Sequence, residues 1–76
     1  MGTTRYRIRV PLRGLEMSEG RLVLRRLDLG LEFVAPADYE SDGRPNSMIP
    51  IEAEGRKLFI FEVDWQARCE RIEAGR

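Results

Sequence analysis

Alternation with a period of two runs through so much of this chain that a β-rich fold follows from it first. Arg5-Tyr6-Arg7-Ile8-Arg9-Val10-Pro11-Leu12 sets Tyr6, Ile8, Val10 and Leu12 on one side and three arginines on the other, the pattern of a strand with one buried face. Pro11 has no amide hydrogen to give to a ladder, so the strand ends there or runs along an edge. From Arg21 to Val34 the alternation returns with a change of phase: Leu22 and Leu24 share one, and Leu27, Leu29, Leu31 and Phe33 the other. A bulge, bend or turn at Arg25-Arg26 is the expected repair, because an unbroken strand over this stretch would reach about 46 Å. Gly30 offers a second bend. Arg13 to Gly20, with two glycines and a serine around Leu15 and Met17, is expected to be a connection.

Met48–Glu54 and Lys57–Val63 make the strongest hairpin, turning at Gly55-Arg56 with glycine first, as a type II′ turn prefers. In that register Glu54 faces Lys57, Ala53 faces Leu58, Ile51 faces Ile60 and Ile49 faces Glu62. The other face pairs Glu52 with Phe59, Pro50 with Phe61 and Met48 with Val63. A strand apolar on both faces belongs inside a sheet, whereas Pro50 suits an edge. Asp64 is the expected N-cap of a C-terminal helix whose stripe Trp65, Cys69 and Ile72 covers one sheet face. Gln66, Glu70 and Glu73 stand on its polar side, and Gly75 ends it. Phe59, Phe61, Val63, Met48 and Pro50 then need a second cover, either the N-terminal strands curling over them or a partner. The expected fold is α+β and mostly β: a curved antiparallel sheet of four or five strands, approaching a half-open barrel, with one C-terminal helix.

A chain of 76 residues reads as a single small domain, residues 1–76. At this size the gain from burying apolar surface and the cost of ordering the chain nearly cancel, so self-association is a reasonable expectation. One cysteine rules out a disulfide within the chain, and the absence of histidine removes the usual zinc sets and every catalytic set that needs an imidazole. Cys69, on the apolar side of the expected helix, reads as packing rather than as a nucleophile. The first residues carry no apolar run and no stretch approaches membrane length, so neither a leader nor a membrane span is expected. A cytoplasmic, non-enzymatic protein with no cofactor and no metal is expected.

Two short patterns resemble known sites only in part. Asp38-x-Glu40-x-Asp42-Gly43 is similar to the first half of an EF-hand calcium loop, but the eighth position is Pro45 and the twelfth is Ile49. An acidic surface loop is expected there. Arg9-x-x-x-Arg13 has the spacing of the arginine pair in PilZ cyclic-dinucleotide receptors, but Asp28-Leu29-Gly30 lacks the serine of that family's Asp-x-Ser-x-x-Gly. The family is not assigned on the arginine pair.

Net charge is zero, yet its distribution is uneven. Seven arginines against Glu16 and Glu19 give residues 1–26 a charge of +5, and the remainder carries −5. The candidate partner-binding residues are Arg5, Arg7, Arg9, Arg25 and Arg26, with Asp38, Tyr39, Glu40 and Asp42 from a mobile loop over 37–47. Together they point to an interaction or regulatory protein that binds a protein partner. The arginine face could alternatively track a nucleic-acid backbone. A homodimer through an edge strand or the Phe59/Phe61 face is the third expectation. No membrane partner is expected.

Overall fold

The computed structural model describes residues 2–41, 43–44 and 46–72. Asp42, and the Glu73 and Gly75 assigned to the end of the helix, lie outside the described residues. Seven strands and one helix follow in the order β1 (Thr3–Ile8), β2 (Leu12–Ser18), β3 (Arg21–Leu27), β4 (Glu32–Pro36), β5 (Met48–Ala53), β6 (Arg56–Phe61), α1 (Glu62–Arg68) and β7 (Cys69–Arg71). They form one antiparallel, open sheet in the order β3-β2-β6-β5-β4-β1-β7.

Seven strands replace the four or five expected, because β2 and β7 form where a connection and the end of a helix were expected. Arg13–Gly20 is not a connection: Leu12–Ser18 pairs with Arg21–Leu27 along its whole length, around a two-residue turn at Glu19-Gly20. The change of phase in β3 needs no bulge at Arg25-Arg26 either. Leu22 and Leu24 sit opposite Met17 and Leu15 on the outer face, while Leu27 sits opposite Leu12 on the inner face, so the phase change is a change of face within a regular strand. The chain breaks later, at Asp28–Leu31, where Gly30 takes φ +92°.

The β5–β6 hairpin turns at Glu54-Gly55, one residue before the expected Gly55-Arg56, so Ala53 faces Arg56, Ile51 faces Leu58 and Ile49 faces Ile60. Glu54 and Gly55 have φ +52° and +76°, and Glu19 and Gly20 have +50° and +79°. Positive φ at both central residues is the type I′ requirement, and this turn matches the right-handed twist of the flanking strands. The one-residue shift moves the register by two, which preserves the division of faces.

The connections show how strongly the sheet coils. Arg9–Pro11 alone joins β1 to β2, which have three strands between them. Flat, those strands would lie about 19 Å apart at ~4.8 Å per step, but the link from Ile8 to Leu12 reaches at most about 14 Å. The sheet therefore wraps around its own inner face. That face holds Ile8, Leu12, Leu27, Phe33, Ile49, Ile51, Leu58 and Ile60, all at most 6% exposed. Two of its joints are thin, with Leu15–Phe59 the one partner pair between β2 and β6, and Val34–Glu52 the one between β4 and β5.

The C-terminus departs most from expectation. The helix starts at Glu62, with Phe61 at its N-cap and no side-chain cap; Asp64 instead lies in its first turn and pairs with Arg68 at 3.1 Å. It lasts seven residues, after which Cys69–Arg71 becomes a strand along β1, with Ile8 opposite Cys69 and Arg7 opposite Glu70. The open edge of β1 offers backbone partners and an ion pair, and these override the helical spacing of Trp65, Cys69 and Ile72. Trp65 alone of that stripe stays on the helix, edge-on to Tyr6 (5.6 Å between ring centroids) and to Tyr39 (5.8 Å).

Candidate protein-binding face

The outer surface of the sheet divides into two halves of opposite character. On β4, β1 and β7 the outward charged side chains Arg5, Arg7, Glu32 and Glu70 pair with one another, beside the uncharged Thr3, Val34 and Pro36. Arg5 bonds Glu32 at 2.6 Å, Arg7 reaches both Glu32 (3.4 Å) and Glu70 (3.2 Å), and Arg9 approaches Glu70 at 3.9 Å. Register creates this network, since Arg7 stands between Glu32 and Glu70 on the flanking strands. The hydrogen bond from Arg5, and then that from Arg7, holds the Glu32 carboxyl below its usual range.

Arg25 and Arg26 do not join that face, because four strands separate β3 from β1. Arg25 donates to Glu16 at 2.7 Å, and Arg56 reaches the same carboxylate at 3.4 Å. Arg26 pairs with Asp28 at 2.9 Å. Arg25 and Arg26, consecutive on β3, point to opposite faces, so the five arginines fall at three places, each accompanied by a carboxylate.

The loop residues are placed differently again. Asp38 and Glu40 lie in the segment after β4, with no ion pair among the described residues. Tyr39 turns inward: its hydroxyl donates to the buried Glu62 carboxylate and contacts the Met48 carbonyl at 3.3 Å. Ser41 donates to the other Glu62 oxygen at 2.6 Å, and the Glu62 amide donates to the Ser47 carbonyl at 2.9 Å. Glu62 thus pins the described part of the 37–47 loop to the first turn of α1. Neutral hydroxyl donors satisfy a buried carboxylate that has no cationic partner among the described residues. Among those residues no cluster of three metal-ligating side chains occurs, and no helix is long and apolar enough to cross a membrane.

The other half of the outer surface is apolar. Leu22 and Leu24 on β3, Leu15 and Met17 on β2, Phe59 and Phe61 on β6 and Pro50 on β5 share it through the registers Met17–Leu22, Leu15–Leu24, Leu15–Phe59 and Pro50–Phe59. Leu22 and Leu24 are each 58% exposed, Met17 59%, Phe59 39% and Phe61 36%. A groove of about 480 Å³ continues this stripe towards α1, where Leu15, Leu24 and Phe61 meet Arg13, Asp64 and Arg68. Arg13 stands directly opposite Arg26, and Lys57 opposite Glu52, so charge is confined to the rim.

Sequence reasoning identified the Phe59 and Phe61 part of this face but missed Leu15 and Met17, which it assigned to a connection. The available signal was Leu15 and Met17 mirroring Leu24 and Leu22 about Glu19-Gly20. A comparison of the chain with known protein families, with characterised proteins and with solved structures finds no match.

Proposed function

We propose that the chain is a small non-enzymatic binding protein whose protein partner docks on the apolar outer face of β3, β2 and β6. The observation that carries this reading is the contiguity of Met17, Leu22, Leu24, Phe59 and Phe61 across three strands, each more than a third exposed. At roughly 200 Å² for a large side chain, these five offer on the order of 500 Å² of apolar surface, at the upper end of what a free monomer exposes. At the border Arg26 and Arg68 are paired with Asp28 and Asp64, and Arg13 has no ion pair among the described residues, which favours a partner with an apolar ridge and a single acidic contact near Arg13.

The arginine face of β1 supports a binding role less well. Arg5, Arg7 and Arg9 each have a glutamate within 4 Å, so a phosphate backbone would have to compete with carboxylates already in place. Exposed pairs of this kind contribute little to stability and serve here to neutralise the face.

The test is retention on the immobilised chain, with Phe59→Glu and Arg7→Glu as paired variants. A stoichiometric protein band is expected to survive ~500 mM salt, survive Arg7→Glu and vanish with Phe59→Glu. Retention that Arg7→Glu or salt abolishes, and Phe59→Glu leaves intact, would refute it.

A further inference from the structure

We propose that two copies of the chain pair antiparallel along the free edges of β3, about a two-fold axis at Leu24. This proposal stands on the strand edge rather than on the apolar face, so either can fail alone. β3 ends the sheet order, and among the described residues β2 is the one strand paired with it. It is seven residues long and carries no proline. The opposite edge, β7, is three residues long, the usual way of blunting an edge against pairing. β3 is not blunted in this way.

Its backbone and side chains select one register. The two-residue turn makes Ser18 and Arg21 a hydrogen-bonded pair, and pairs alternate from there. Arg21, Val23, Arg25 and Leu27 therefore direct their amides and carbonyls at β2, while Leu22, Leu24 and Arg26 direct theirs at the free edge. With the axis at Leu24, Leu24 meets its own copy and Leu22 meets Arg26, so all three edge-directed residues are satisfied by about six hydrogen bonds. In the same register Arg25 faces Val23 and Arg21 faces Leu27, so no arginine opposes another. Moving the axis to Val23 sets Arg21 against Arg25, and moving it to Arg25 or Arg26 sets that residue against itself, each penalised by like charge. The arginines thus reject the other registers in which β3 overlaps itself extensively. Arg25 and Arg26 keep Glu16 and Asp28 as counter-charges within their own copy. The paired sheet would carry Leu22 and Leu24 of both copies at its centre.

The test is sedimentation of the full chain over a concentration series, with two sets of variants. Wild-type mass is expected to rise from 8.8 kDa towards twice that value by ~100 µM, as a micromolar association requires. Leu24→Pro should stay monomeric yet folded, because proline is tolerated where the amide faces the open side of an edge strand. In a Cys69→Ala background, Leu24→Cys should cross-link on oxidation, since the two Cα atoms of a hydrogen-bonded pair lie about 5.5 Å apart, within disulfide range. Leu22→Cys should not cross-link, its copies being roughly 14 Å apart. A wild-type monomer throughout the series, or cross-linking through Leu22→Cys as fast as through Leu24→Cys, would overturn the proposal.

Discussion

Replacing Tyr39 by phenylalanine tests how the loop before β5 is held. The Tyr39 hydroxyl donates to Glu62, which is 5% exposed and takes its other side-chain hydrogen bond from Ser41. Phenylalanine keeps the ring that meets Trp65 edge-on and removes the hydroxyl with its contacts to Glu62 and the Met48 carbonyl. A hydrogen bond to a charged group contributes about 1.5–3 kcal/mol, and an abandoned buried carboxylate oxygen recovers little of that from solvent. A loss of about 2 kcal/mol corresponds to a fall in Tm of roughly 8–16 °C for a domain this small. Trp65, the chain's one tryptophan, lies against Tyr39 and reports unfolding by its fluorescence. Tyr6→Phe is the control, since Tyr6 contacts Trp65 and Phe33 through its ring and its hydroxyl bonds no charged group among the described residues. It should cost less than about 0.5 kcal/mol. In a double-mutant cycle, Tyr39→Phe combined with Glu62→Gln should be non-additive by about 1 kcal/mol or more. A Tm within about 2 °C of wild type for Tyr39→Phe, or strict additivity with Glu62→Gln, would refute the pinning argument.

Gly14→Ala should destabilise by about 1–3 kcal/mol through overpacking, because a Cβ there would meet the Phe59 carbonyl and Leu27 Cδ1 at 3.2 Å; an unchanged urea midpoint would contradict that. Burial, reinforced by Asp64, pushes the Cys69 thiol up to about 11, so alkylation at pH 8 should run about two orders of magnitude slower than for a free thiol. Mass spectrometry of a time course checks it, and labelling at the free-thiol rate would contradict it. The same raised value makes its stabilising contribution complete below pH 9.0, the ordinary value, and lost as pH rises through about 11. Thermal melts should therefore fall more steeply over that window in wild type than in Cys69→Ala.

Much of the architecture was legible in local pattern. The alternation expected over Arg5–Leu12 holds as far as Ile8, where β1 stops, leaving Val10 43% exposed in the link and Leu12 at the start of β2; the faces of the β5–β6 hairpin survive a turn displaced by one residue. Three things were not legible, for distinct physical reasons. Met17, Leu22 and Leu24 are apolar on a face the fold leaves uncovered, so a reading that equates apolar with inside turned β2 into a loop and put a bend in β3. Cys69–Arg71 is a strand because the edge of β1 is there to receive it, a non-local cause that leaves no mark on the helical spacing of the segment. The arginines were conspicuous, but their neutralisation depends on which strands flank them. Glu32 and Glu70 reach Arg7 only because β4 and β7 lie on either side of β1. Sequence alone could count those charges and could not place them.

The central claim is that the apolar half of the sheet, and not its charged half, is the binding surface. The most direct test is to titrate the isotopically labelled chain with the protein it retains and to follow the backbone amide resonances. Shifts and broadening are expected at Leu15, Met17, Leu22, Leu24, Phe59 and Phe61, with β1 and β7 undisturbed. Perturbation centred on Arg5, Arg7, Arg9 and Glu70, with β2, β3 and β6 silent, would contradict the account.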